Sequence, residues 1–149
     1  MRAGLVLLAL PSAVIAGWTL LAPHSFYDDF PGGGRHWVSA LPPYNEHLLR
    51  DFGAASLAIV VFLVGAAIIL ERRLILVALV AFLAYSVPHF GYHLTTTESY
   101  STGDNIASLG GFAITMALAV ALLALNREAR EASEGSQAYA SSPSRSSRS

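Results

Sequence analysis

Cysteine and lysine are both missing from this chain of 149 residues, and charged side chains of any kind make up only 13% of it. The first absence excludes disulfides and thiolate metal sites and leaves the redox compartment open. The scarcity of charge excludes an ordinary soluble domain, in which about 25% of residues are charged. Nine arginines balance ten acidic residues to a net charge of −1, and no nucleic-acid partner is expected.

What is there instead is apolar, with 54% of the residues hydrophobic. Four stretches, 3–22, 52–70, 74–94 and 106–125, contain no Asp, Glu, Lys or Arg. Each is close to the ~20 residues that a helix needs to cross roughly 30 Å of hydrocarbon. Runs such as LAIVVFLVGAAIIL are continuous, whereas the strands of a membrane barrel alternate apolar and polar residues, so helices are favoured. The expected fold is all-α: a bundle of four transmembrane helices over residues 1–127, with one long outward loop at the interface.

Arg2 before an apolar run, with small residues at 13–17, would also suit a signal peptide. The run nevertheless continues through Trp18, Leu20 and Leu21, long enough to span, and a retained helix is expected. Orientation follows from arginine, which stays on the cytoplasmic side. Arg2, Arg72, Arg73, Arg127, Arg130, Arg145 and Arg148 share one side if both termini are cytoplasmic, leaving only Arg35 and Arg50 outside. His24, His36, His47, His89 and His93 then all gather at the outer ends of the spans.

Residues 23–51 form the one long connection, and connections of that length are usually functional or disordered. Its aromatics, Phe26, Tyr27, Phe30, Trp37 and Tyr44, suit a membrane-water interface, and Pro31-Gly32-Gly33-Gly34 supplies a bend. The segment HWVSAL is expected to lie flat on the membrane. Pro42-Pro43 ends the loop, and the second helix is expected to start near Tyr44. Residues 128–149, rich in Ser, read as a disordered cytoplasmic tail.

On a helical wheel His47, Arg50, Asp51, Ala54, Ala58 and Gly65 share one stripe of the second span. Small residues mark close helix contacts in membranes, so this stripe is expected to face the bundle. In the third span Ala78, Phe82, Tyr85, Ser86, His89, Tyr92 and His93 lie on one face, with Pro88 as a source of kinking. Asp104 or Asn105 is the expected N-cap of the fourth, where Asp104, Ser108, Gly111 and Thr115 align. The first span offers Ser12, Ala16 and Thr19. Four such stripes suit a compact bundle with a polar pocket near its outer mouth.

The sharpest constellation is His89-x-x-x-His93. Two imidazoles at i and i+4 can converge on one point, and His47 with Asp51 or Glu46 would complete a site for zinc or a non-haem metal. A haem held by His47 and a third-span histidine is another arrangement. The same spacing also occurs in histidines that only hydrogen-bond to neighbouring polar groups. His47, Tyr85, His89 and Tyr92 are the candidates for cofactor contact. Glu46–Arg50 and His47–Asp51 are i, i+4 pairs, which often merely steady an exposed turn by a few tenths of a kcal/mol. Alternatively Glu46, His47, Arg50 and Asp51, with His89, form an acid-base set at a quinone or lipid-headgroup site.

The string YDDFPGGGRHWVSALPPYNEHLLRDFGA, followed by an apolar helix, a two-arginine turn, VPHFGYHL and TGDNIASLGG, resembles an uncharacterised family of small four-span membrane proteins of actinobacteria, over residues 20–115. More distantly, size and helix count resemble the DoxX-like group, some members of which are membrane subunits of quinone-linked oxidoreductases. The resemblance implies a four-helix bundle in a bacterial plasma membrane and no particular reaction, since fold analogy does not assign function. The function expected is that of a small accessory or ligand-binding subunit with an outward polar pocket, working at the quinone level beside membrane lipids and a larger redox partner. The alternative is a stand-alone enzyme acting on a lipid or isoprenoid, with Glu46, His47 or His89 as acid or base. A transporter is less expected, as four helices leave little room for a pathway.

Overall fold

The structure is a computed structural model that describes residues 1–41 and 43–140, with side chains described as far as residue 129. Helix α1 (Arg2–Leu21) is followed by the short helix α2 (Pro23–Asp29) and a minimal hairpin of β1 (Pro31–Gly32) and β2 (Arg35–His36). Helices α3 (Glu46–Ile69) and α4 (Arg72–Thr95) come next, then a single 3-10 turn (Thr97–Ser99) and α5 (Thr102–Ala140). Helices α1, α3, α4 and the Thr102–Ala129 part of α5 are each long and apolar enough to cross a membrane.

Local chemistry sets the helix ends. Asn45 caps α3, its side-chain oxygen accepting from Leu48 N at 3.0 Å, so the helix opens just after the expected Tyr44. It closes on Leu70 in the left-handed conformation (φ 56°), which turns the chain directly into α4. The cap of α5 is Ser101 rather than Asp104 or Asn105. Ser101 Oγ accepts from Asp104 N at 3.1 Å and donates to the Asp104 carboxylate at 2.7 Å, so the aspartate sits in the first turn. Helix α5 also runs to Ala140, past the boundary placed after residue 127, because Arg, Glu and Ala of the REAREA stretch are good helix formers. The remainder of the expected tail, 141–149, lies outside the described residues.

The long helices pack in the cyclic order α1, α3, α4, α5, with the most extensive contact between α1 and α3. At the end that carries the α3–α4 turn, Arg2 Nε donates to Ala67 O at 2.9 Å, and the buried Asn126 donates through Nδ2 to Arg72 O at 3.1 Å. The core above these ties holds Leu5, Leu8, Leu63 and Leu79, all fully buried, with Ile59, Phe82, Ala119 and Leu122. Two glycines permit the closest approaches. A Cβ on Gly4 would come within 2.7 Å of Leu122, and one on Gly53 would fall on the Thr19 hydroxyl.

The outer faces are as apolar as the core: Leu7, Val14, Val61, Ile68, Val80 and Ile114 are all exposed. A helix in water would carry charge on that side. In α3, however, the inward face is not the expected one. His47, Arg50, Asp51, Ala54 and Ala58 are exposed, while Leu49, Gly53, Ser56, Leu63 and Ala67 are buried. Both stripes contain small residues. The one that packs is the one whose glycine meets Thr19, and the charged turn is thereby left outside.

Candidate functional site

The connection between α1 and α3 is a folded lid. Phe26 of α2 is buried, with ring centroids 5.7 Å from Trp18, 4.7 Å from Phe30 and 6.3 Å from Phe52. The hairpin turns through Gly32, Gly33 and Gly34 at φ 97°, 66° and 76°, a left-handed run that other residues adopt poorly. It delivers Trp37 to the start of α5, where the indole Nε1 donates to Asp104 Oδ1 at 2.8 Å and Tyr100 OH donates to Trp37 O at 2.8 Å. Arg35 lies 3.5 Å from the same carboxylate. Burial, and to a smaller extent the Tyr92 phenol, raises the pKa of Tyr100, which keeps it protonated as a donor. The HWVSAL segment therefore turns inward, with Trp37, Val38 and Leu41 facing a cavity.

That cavity, about 680 Å³, lies beneath the lid between the four long helices. Ser12 and Ile15 of α1, Phe52 and Ser56 of α3, Phe82, Tyr85, His89 and His93 of α4, and Ser108, Phe112 and Thr115 of α5 line it. Its wall is chiefly aromatic and aliphatic with a few placed polar groups, which is the composition of small-molecule sites. It is less polar than the expected pocket.

The polar groups are already organised. Ser56 Oγ donates to Phe52 O at 2.9 Å and lies 3.0 Å from Tyr85 OH. With the serine proton committed to the backbone, the tyrosine donates to the serine and keeps its own lone pairs for the cavity. His89 Nε2 and His93 Nε2 are 3.1 Å apart, with ring planes 18° from parallel and centroids 5.0 Å apart. The nitrogens are much nearer than the centroids, so the rings meet edge to edge rather than face to face. One ring must donate and the other accept. Around His89 stand Phe52, Tyr85 and Phe112, at 5.6, 5.9 and 5.0 Å between centroids.

The other candidates are elsewhere. His47 and Asp51 pair with each other at 3.3 Å on the exposed side of α3, with side chains 88% and 64% exposed. Glu46 and Arg50 pair at 2.8 Å beside them, and Arg50 also donates to Leu20 O at 2.6 Å, tying α3 to the end of α1. The four-residue metal set of His47, Asp51, His89 and His93 is therefore not assembled. Among the described residues no group of three or more His, Asp or Glu could hold a metal ion. The pairing of His47 with a third-span histidine across a haem fails for the same reason, as does a joint acid-base set with His89. Tyr92 stands at the cavity rim, 54% exposed.

Ser56, Phe52 and Phe112 went unnoticed in the sequence because each is an ordinary residue of an apolar span. Only the periodicity of the α4 face pointed toward them. No family model, curated protein or solved structure matches the chain.

Proposed function

We propose that this chain is an integral membrane protein that binds a small lipid-soluble molecule in the lidded cavity, as an accessory or carrier subunit at the quinone level rather than as a stand-alone enzyme. The observation that carries this reading is the cavity itself: aromatic walls, a histidine pair and a prepared tyrosine lone pair converge in a space large enough for a ring-headed ligand. The apolar outer faces support the membrane setting, and the arginine asymmetry supports cytoplasmic termini in a bacterial plasma membrane. The resemblance to DoxX-like subunits agrees with a larger redox partner. The enzyme reading has less behind it, because Glu46 and His47, two of its three acids or bases, point away from the cavity.

Purification in a mild detergent from native membranes, followed by solvent extraction and mass spectrometry, tests the proposal. One dominant non-bulk lipid or quinone near one per chain is expected. Recovery of bulk phospholipid alone would sink it.

A further inference from the structure

We propose that the cavity is filled sideways, from the bilayer, through a gap between the loop-end halves of α1 and α5, by a molecule with a flat hydrogen-bonding ring as head and an apolar chain as tail. This rests on the ligand-binding reading above and adds the route and the ligand class.

Helices α1 and α5 meet over a much shorter stretch than α1 and α3. Their contact lies near the α3–α4 turn, where Gly4 backs onto Leu122. Toward the lid the two helices part, and both line the cavity instead, through Pro11 and Ser12 on one side and Ala107 and Gly111 on the other. Pro11, Ala107 and Gly111 line the cavity and are each exposed, and we read this as the place where the space reaches the surface between the two helices. A Cβ built on Gly111 would meet nothing within 4 Å. All these residues belong to helices apolar enough to cross a membrane, so the gap opens onto hydrocarbon.

At the loop end Trp37, held by Asp104 and Tyr100, covers the α5 side, while Asn45, Leu48 and Tyr92 line the cavity and are exposed, so a small molecule also has a way in from water. A ligand that dissolves in the bilayer reaches the gap without disturbing these bonds.

The head is defined by tautomer arithmetic. In a neutral pair joined by one Nε2–H···Nε2 bond, one ring keeps Nδ1 as an acceptor and the other keeps Nδ1–H as a donor. The pair thus holds one group of each kind, with the His89 ring beside Tyr85 and between the Phe52 and Phe112 rings. A flat ring bearing carbonyl or hydroxyl groups answers both the aromatic walls and this donor-acceptor set. Its tail leaves through the gap.

The test uses the full chain in phospholipid vesicles, with Trp18→Phe so that Trp37 alone reports, and measures fluorescence quenching by a decaprenyl benzoquinone and by its tail-less analogue. Lateral entry predicts that both quench, and that adding Gly111→Leu reduces quenching by the long-tailed probe at least fivefold, while the tail-less probe, which has no tail to pass the gap and can enter at the loop end, is reduced less than twofold. Ala107→Leu, a second plug one turn away, gives the same reading if Gly111→Leu disturbs the fold. Undiminished quenching by the long-tailed probe in both plugged variants would overturn lateral entry and leave the cavity reading standing. Failure of either probe to quench the unplugged protein would overturn the cavity reading, and the route with it.

Discussion

The Asp104 carboxylate is where lid and helices meet, since it accepts from the Trp37 indole and from Ser101 and lies beside Arg35. Asp104→Ala removes both of these hydrogen bonds to a charged acceptor and is expected to lower the melting temperature. It should also move Trp37 emission to the red as the lid loosens, a shift that a melt combined with a fluorescence spectrum reads directly. A second contrast concerns glycine. Gly53→Ala places a methyl on the Thr19 hydroxyl and is expected to destabilise by about 1–3 kcal/mol, whereas Gly65→Ala has open space and a gain in helix propensity. Equal melting temperatures for the two variants would refute the α1–α3 contact described here.

At the scale of elements, all four long helices could be read from hydropathy, and the boundaries of α3 and α4 were foreshadowed by Pro42-Pro43 and the arginine turn. The face of α4 was legible too, because Phe82, Tyr85, Ser86 and His89 are large or polar and recur at helical spacing. The face of α3 was not. Within a membrane both sides of a helix are apolar, so the remaining signal is residue size, and α3 carries Ala54 and Ala58 outside as well as Gly53 and Ser56 inside. Charges near a helix end face water when they can, which overrode the assignment of His47 and Asp51. The lid was illegible for another reason: its anchor joins Trp37 to a residue 67 positions away, and nothing local marks such a pair. Asn126, at the end of an apolar run, is the analogous tie at the other end. Asn126→Leu leaves the Arg72 carbonyl without this donor and is expected to lower stability by about 1–3 kcal/mol. For topology, single substitutions Gly33→Cys and Thr97→Cys should react with an impermeant thiol reagent in intact cells, and Ser136→Cys should not. Labelling at Ser136→Cys alone would invert the orientation.

For the molecule as a whole, four helices leave a cavity under a lid that the chain itself supplies, and the histidine pair inside it is separate from the charged turn outside. The quantity that tests this separation most directly is the bound small molecule per chain in protein purified from native membranes. It should be measured for the wild type, His89→Leu and His47→Leu, with a thermal melt on each sample. Leucine keeps much of the histidine volume, so His89→Leu removes hydrogen bonds while the aromatic wall stays filled. At about 1.4 kcal/mol per tenfold in affinity, loss of one or two ligand hydrogen bonds predicts binding weaker by about tenfold or more and a clear fall in content, in a protein that still melts cooperatively. His47→Leu should retain the wild-type content. Equal loss in both variants, or a His89→Leu protein that carries as much ligand as the wild type, would contradict the account.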